Sequence, residues 1–309
     1  MILVVTVSVI LCLGILLLLS SPNSTNTSSD ISTTSRFLRK LQEIIIGGTS
    51  AGSGEFPWYA KFEGNTLCGG SVIGNGQFVL TAAHCVDDGY TPSQVRVGSA
   101  RYSTGGTLYR VTNKWIHPNF TTGTYVNDLA LLKIAKPCCI LCCGDPETVA
   151  LNSDASIPSV TGEELVVMGF GVTNSNNVPS STLKKLTVNY IANEECSTNY
   201  GTFQEQEKLC ADQENAGVCA GDSGGPLVIQ DALNGNTWSQ VGIVSVGRQG
   251  CASDFPDYYT RVSTYANNGW IQSTMDAEMS LVGPERDSIL DFLQRNGQHW
   301  LTGKLRFWD

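Results

Sequence analysis

From Ile45 onward the chain is a succession of short β-type runs, each broken after a few residues by Gly, Asn, Ser or Pro. Ser71-Val72-Ile73, Gln77-Phe78-Val79-Leu80, Leu129 to Ile134, Glu164 to Met168 and Val241 to Val246 are examples. Short strands at regular spacing, with turn residues between them, fold as a sandwich or a barrel. No heptad or internal repeat competes with that reading. The one strong helical signal within this stretch is Tyr265 to Met275, with Trp270 and Ile271 at its centre. An apolar content of 41% with 15% charged residues suits a folded, loop-rich protein rather than a disordered one. The 309 residues have room for two domains, although all-β barrels of 200–250 residues commonly count as one. A net charge of −9 argues against nucleic acid as a partner, because phosphate backbones attract basic patches.

Outside the strand-rich stretch the texture changes. Residues 1–19 are almost wholly apolar and carry no charged side chain, so residues 1–20 read as a secretory signal or a membrane anchor. The run is long for a signal core and lacks a basic start, yet it has no positive flank to hold an anchor. Residues 21–44 open on a Ser/Thr/Asn-rich stretch that reads as a solvated spacer. Asn23-Ser24-Thr25, Asn26-Thr27-Ser28 and Asn119-Phe120-Thr121 are glycosylation acceptor triplets. Eleven cysteines indicate an oxidising compartment, hence secretion, or tethering to a membrane if residues 1–20 are retained. Residues 276–309 form an extension. In it, Gly283-Pro284 opens a run with Ile289, Leu290, Phe292 and Leu293 on one face, stopped by Gly297. That run reads as an amphipathic helix docked on the barrel or as a frayed extension, with a partner-binding helix as the alternative.

Three segments carry chemistry, in a telling order: Thr81-Ala82-Ala83-His84-Cys85, then Asn127-Asp128-Leu129-Ala130-Leu131-Leu132, then Gly221-Asp222-Ser223-Gly224-Gly225-Pro226. A serine hydroxyl is a poor nucleophile, so an imidazole must take its proton during attack, and a buried carboxylate must orient that imidazole. Of the three histidines, His117 lies in a loop-like Trp-Ile-His-Pro segment and reads as structural, and His299 lies in the tail. His84 remains. Asp128 enters an apolar run, where a buried charge needs a partner, and the ring N–H of His84 would serve. Gly221 to Gly225 also satisfies the Gly-x-Ser-x-Gly elbow of α/β-hydrolases. That reading fails, because the only later histidine is His299 and the residues after Ser223 suit a strand.

Together with Ile45-Ile46-Gly47-Gly48, these motifs resemble the trypsin/chymotrypsin family of serine endopeptidases over roughly residues 45 to 275. The resemblance implies an all-β fold: a double six-stranded antiparallel β-barrel of the chymotrypsin type with a C-terminal helix. It implies His84, Asp128 and Ser223 as the catalytic triad. The backbone N–H groups of Gly221 and Ser223 would form the oxyanion hole, where losing a donor costs about 2.7–4 kcal/mol in related chemistry. It implies a zymogen, in which cleavage frees the amine of Ile45 to pair with Asp222 and order the oxyanion loop. Here the sequence departs from the family: Ile44 stands where Arg or Lys usually precedes the cut, and the nearest basic residues are Arg39 and Lys40.

The resemblance further implies the disulfides Cys68–Cys85, Cys196–Cys210 and Cys219–Cys251, each stabilising by about 2–4 kcal/mol. Cys138, Cys139, Cys142 and Cys143 have no family counterpart. They crowd into one segment, whereas zinc draws ligands from two, so local disulfides or pairing to another chain are the readings left open. For substrate binding the resemblance assigns Gly217, Val218, Ala220, Ser245, Val246, Gly247 and Asp257. Ser245, Val246 and Gly247 would pair with the substrate backbone as an added strand. Gly217 replaces the Asp that marks trypsin-like preference, and Asp257 replaces a wall Gly in Pro256-Asp257-Tyr258-Tyr259-Thr260. Collagenolytic members with this arrangement accept broad side chains including basic ones, while elastase-type members screen the acid with valines, as Val218 would. Mixed basic and large-apolar specificity is therefore expected.

No cofactor or metal is expected. The Gly98 to Tyr109 loop, where calcium-binding relatives place acidic ligands, holds no Asp or Glu. The expected partners are polypeptide substrates and protein protease inhibitors, with a membrane only if the N-terminal segment is retained. The alternative function is a catalytically inactive homologue acting as a binding module. Intact triad positions and Gly221 favour the enzyme, and only Ile44 favours the alternative.

Overall fold

In a computed structural model, the described residues are 48–135, 145–172, 178–200, 206–231, 237–246, 251 and 256–280. The chain divides into Met1–Glu43 and Ile44–Asp309, and every described residue belongs to the second. The N-terminal segment, Ile45, the four clustered cysteines, Gly247 and the tail helix lie outside the described residues.

After the two-residue β1 (Thr49–Ser50), a first closed barrel is built from β2 (Tyr59–Phe62), β3 (Gly69–Ile73), β4 (Phe78–Thr81), β5 (Gln94–Val97), β6 (Thr107–Ile116) and β7 (Ala130–Ala135). Its ring order is β2-β3-β4-β7-β6-β5, antiparallel throughout. A short β8 (Ala150–Leu151) leads into the second barrel: β9 (Glu164–Gly169), β10 (Lys184–Ile191), β11 (Lys208–Asp212), β12 (Pro226–Asp231), β13 (Thr237–Val246) and β14 (Asp257–Arg261). That ring runs β10-β11-β14-β13-β12-β9 and closes through the β9–β10 pairing, with β1 and β8 as added strands on β10 and β13. The double barrel expected from the sequence is present. Closure removes the exposed strand edges that would otherwise invite further pairing.

The short runs become strands because each buries its apolar residues in a barrel. Val72, Val79, Leu80, Leu131 and Leu132 are wholly buried in the first barrel, and Leu165, Leu209, Leu227 and Tyr259 in the second. Full burial of such a side chain stabilises by about 1.5–3 kcal/mol. The first core continues across the interface to Met168, Phe170, Val228 and Ile243 of the second barrel. A polar clasp crosses the same boundary, where buried Ser71 Oγ donates to Gln240 Oε1 at 2.6 Å. Around one hydrophobic contact surface, the two barrels hold a fixed relation, and the site lies on it.

The helical elements are α1 (Asn193–Tyr200), α2 (Val262–Asn267) and α3 (residues 270–280). One helix was expected from Tyr265 to Met275. Instead the chain breaks at Asn268–Gly269, where Gly269 takes φ +78° and Asn268 Oδ1 accepts from the Trp270 N–H at 3.0 Å. Asn-Gly both stops α2 and caps the start of α3. The helical residues run past Met275 and tie back to the first barrel through the Lys133–Glu278 ion pair at 2.8 Å.

Candidate active site

At the end of β4 the chain passes through fully buried Ala82 and Ala83 into a single 3₁₀ turn, Ala83–Cys85, which carries His84. Small side chains are needed here, since the backbone runs against the core. The Cys68–Cys85 disulfide ties the turn to the start of β3. Asp128 lies two residues before the first residue of β7 and is 0% exposed. Before it Asn127 takes φ +54°, a left-handed conformation that Asn tolerates better than most residues, and its Oδ1 accepts from Tyr265 O–H at 3.0 Å.

The buried carboxylate is met on both oxygens. Oδ1 accepts from the His84 backbone N–H at 2.9 Å. Oδ2 is 2.8 Å from His84 Nδ1 and accepts from Ser245 Oγ at 2.6 Å. A carboxylate only accepts, so Nδ1 carries the imidazole proton and Nε2 is left with its lone pair outward. Thr260 Oγ1 donates to the Asp128 carbonyl at 2.9 Å, and the Tyr125 ring stands edge-on to the His84 ring at 5.5 Å. Ser245 reaches Asp128 because of a β-bulge. The β13–β14 register passes from Val244↔Tyr259 to Val246↔Tyr258, leaving Ser245 as the extra residue, turned toward the first barrel.

Ser223 sits in a loop between Gly221 at φ +99° and Gly224 at φ +76°. The loop is threaded between the barrels: the Gly69 N–H donates to the Ser223 carbonyl and the Gly224 N–H to the Val244 carbonyl, both at 2.8 Å. A Cβ on Gly224 would run into Thr81 Oγ1 and the Gly69 carbonyl, so only glycine lets the serine loop lie this close to the histidine segment. Among the described residues, the N–H groups of Gly221 and Ser223 donate to no protein acceptor. No hydrogen bond joins Ser223 Oγ to His84 Nε2. Such bonds are often long in the free protein and tighten around substrate.

Asp222 is 1% exposed, its Oδ1 accepting from the Gly171 N–H at 2.7 Å and its Oδ2 from the Cys219 N–H at 3.0 Å. Burial pushes its carboxyl up to about 6, against the two N–H groups that pull it down. Gly169 and Gly171 make the room, since a Cβ on either would overlap the carboxylate. Among the described residues no cation pairs with it. Asp257, also buried, accepts from the Val218 N–H at 2.8 Å. Burial pushes its carboxyl up to about 7, and the negative charges of Asp212 and Asp222 push the same way. Gly217 is buried and Val218 packs in the second-barrel core at 2% exposure, while Ala220 is exposed, Ser245 buried and Val246 half-buried. The Cys196–Cys210 and Cys219–Cys251 disulfides are both formed. Cys68, His84 and Cys85 also gather within ligand distance of one another, but the two sulfurs are bonded to each other and offer no thiolate.

Sequence reasoning missed Ser245 as a donor to Asp128, and also Thr260, Tyr125 and the Gly169–Gly171 cradle. Only the glycines left a signal, an unusual Gly-Phe-Gly at the end of an apolar strand.

Two closed six-stranded barrels, with a hydrogen-bonded His–Asp pair on the first and a serine in a glycine-rich loop tied to β3 and β13, define the class of two-barrel serine proteases. Comparison with known proteins agrees. The Trypsin family pattern matches residues 45–271. The chain is 33% identical to Trypsin delta of Drosophila erecta over 235 residues, 73% of this chain and 87% of that protein. It is 30% identical to Trypsin alpha of Drosophila melanogaster over 249 residues, 78% of this chain and 91% of that one. Against Transmembrane protease serine 11G of Rattus norvegicus it is 34% identical over 237 residues, 74% of this chain and 55% of the relative. The chain belongs to the trypsin family of serine proteases.

Proposed function

We propose that the protein is a secreted serine endopeptidase, made as a zymogen, in which Ser223, His84 and Asp128 act as one catalytic unit. The observation that carries this is the His84–Asp128–Ser245 chain of short hydrogen bonds, set across the barrel interface. Ser223 Oγ attacks the scissile carbonyl carbon and passes its proton to His84 Nε2. The developing oxyanion takes the N–H groups of Gly221 and Ser223. His84 then protonates the leaving amine, and water releases the acyl group by the reverse path.

Asp222 supports the activation reading. A carboxylate buried with only two N–H groups is poorly compensated, and a freed Ile45 amine is the cation that would complete it. Asp257 supports mixed specificity. It would supply the carboxylate of the pocket that the family resemblance assigns to Gly217, Val218 and Asp257, and its contact with the Val218 N–H keeps it beside that segment. Eleven cysteines, six of them paired, and the apolar segment 1–20 support an extracellular location, with membrane tethering if that segment is retained. Among the described residues no helix is long and apolar enough to cross a membrane.

The test is to treat processed protein with a serine-directed phosphonate and map both the label and the amino terminus by mass spectrometry. Label on Ser223 in protein beginning at Ile45 is the expected result. An unlabelled Ser223 overturns the peptidase, and full labelling with Lys40 still attached overturns the Ile45–Asp222 switch.

A further inference from the structure

Lys208 opens β11 and points its side chain out of the second barrel, on the side facing the catalytic groups. The strand register fixes this. Lys208 pairs with Thr260, and Cys210 with Tyr258, which in turn faces Val246 on β13. Paired residues share a face and successive ones alternate, so Lys208, Thr260, Tyr258 and Val246 share one side, while Leu209, Tyr259 and Val244 fill the core. Thr260 confirms the direction, since its hydroxyl reaches Asp128.

The ammonium of Lys208 is only partly satisfied. It donates to the Thr124 carbonyl at 2.9 Å and lies 5.5 Å from the centre of the Tyr258 ring. Among the described residues no carboxylate lies within ion-pair distance. Asp128 and Glu207 are the acidic groups whose charge it feels, and burial outweighs both, holding the amine below its ordinary range. Asp128 is closed off by His84 and Ser245. In a chain of net charge −9, a half-buried lysine at the rim of the site with no counter-ion stands out.

An extended substrate laid along Ser245 and Val246 brings its own side chains to this cation. Two strand spacings and two residues separate Val246 from Lys208, about 12 Å between backbones, a gap that a lysine and an extended acidic side chain together close. We propose that Lys208 is a specificity-determining residue whose ammonium receives an Asp or Glu side chain about two to four residues before the cleaved bond. The inference rests on the peptidase reading and on Ser245–Val246 as the edge that takes substrate.

The test uses full-length processed protein, titrated with the phosphonate so that rates are per active site. Peptides differing only by Glu, Gln, Ala or Lys at each of those positions are then compared. The expected result is a Glu-over-Gln preference on the order of tenfold in kcat/KM, carried mainly by KM and shrinking as salt is raised. K208M should abolish it, K208R retain it and K208E reverse it toward Lys, with the Gln peptide changed less than about threefold. Equal Glu and Gln rates in the wild type overturn the proposal, as does a preference that survives K208M. If K208M slows every peptide alike, Lys208 only holds the Thr124 loop and the proposal also fails. Absence of label on Ser223 overturns the parent reading, and this one with it.

Discussion

The two barrels treat buried charge differently. In the first, Lys61 meets a counter-charge, 3.2 Å from Glu63, and Asp128 is met on both oxygens by the His84 ring and backbone N–H groups and the Ser245 hydroxyl. In the second, Lys184, Asp222, Asp257 and Arg261 are all buried, and among the described residues each is met only by neutral groups. The Ser50 hydroxyl takes Lys184, the Ala155 carbonyl takes Arg261, and backbone N–H groups take the two carboxylates. Among the described residues Tyr259 O–H has no hydrogen-bond partner, as is also true of Tyr59 O–H in the first barrel. Uncompensated buried charge is costly, so the second barrel carries groups that something else would satisfy. The first barrel is a fixed mount for the His–Asp pair. The second holds unmet charges where activation and substrate recognition are proposed to occur.

The site itself straddles this boundary, so its removal should have the largest effect and least respect the division. Ser223→Ala, from the second barrel, and His84→Ala, from the first, should each lower kcat by about 10⁶, since members of such a unit are not additive. Thermal melting should hardly move for Ser223→Ala, whose hydroxyl has no hydrogen-bond partner among the described residues. Turnover near wild type in either variant refutes the shared unit. Next in size is the mount. Leu131→Ala in the first barrel should destabilise by about 2–5 kcal/mol in denaturant unfolding, because Leu131 is fully enclosed and a cavity would remain. A cost under about 1 kcal/mol would mean that the first barrel repacks freely and is no fixed mount. Smaller again is Ser245→Ala, which takes one donor from Asp128 Oδ2 while His84 still holds that oxygen. A loss of roughly tenfold in kcat/KM, with little change in melting, is expected. An unchanged rate would show that the bulge serves strand geometry and not the carboxylate.

Legibility in the sequence followed the same division. Strand runs such as Gln77 to Leu80 and Leu129 to Ile134 became β4 and β7 almost residue for residue, because a closed barrel rewards local apolar runs. Asp128 was readable as buried because it enters such a run. Ser245 was not readable as its partner, since that contact depends on a bulge set by the register of β13 on β14, which no local pattern announces. Tyr125 and Lys208 escaped for a similar reason, as each matters through a residue far away in sequence: His84 for one, Thr124 for the other. The terminal helix was found but its break was missed. Asn268-Gly269 is a stop signal inside that run, and local capping by Asn268 prevailed over a continuous helix.

The finest test of the contrast is the pH dependence of Asp257. Its carboxyl is pushed up to about 7 in the folded protein, from an ordinary value of 3.8. Between those values the folded state holds a proton that the unfolded state has released, so stability falls as pH rises through that window and levels off above it. Asp257→Asn keeps an oxygen for the Val218 N–H and removes the titration. The melting temperature of the variant minus that of the wild type should therefore be near zero around pH 4, climb through neutrality, and plateau above about 7. Asp222 titrates in both proteins, so its contribution largely cancels in the difference. On the proposed specificity the same ionisation would govern recognition: wild-type cleavage after Arg or Lys, relative to Leu or Phe, should rise as pH passes about 7, and the variant should show a flat ratio. A melting difference independent of pH would mean that Asp257 is as well compensated as Asp128, and the contrast between the barrels would narrow to Asp222 alone.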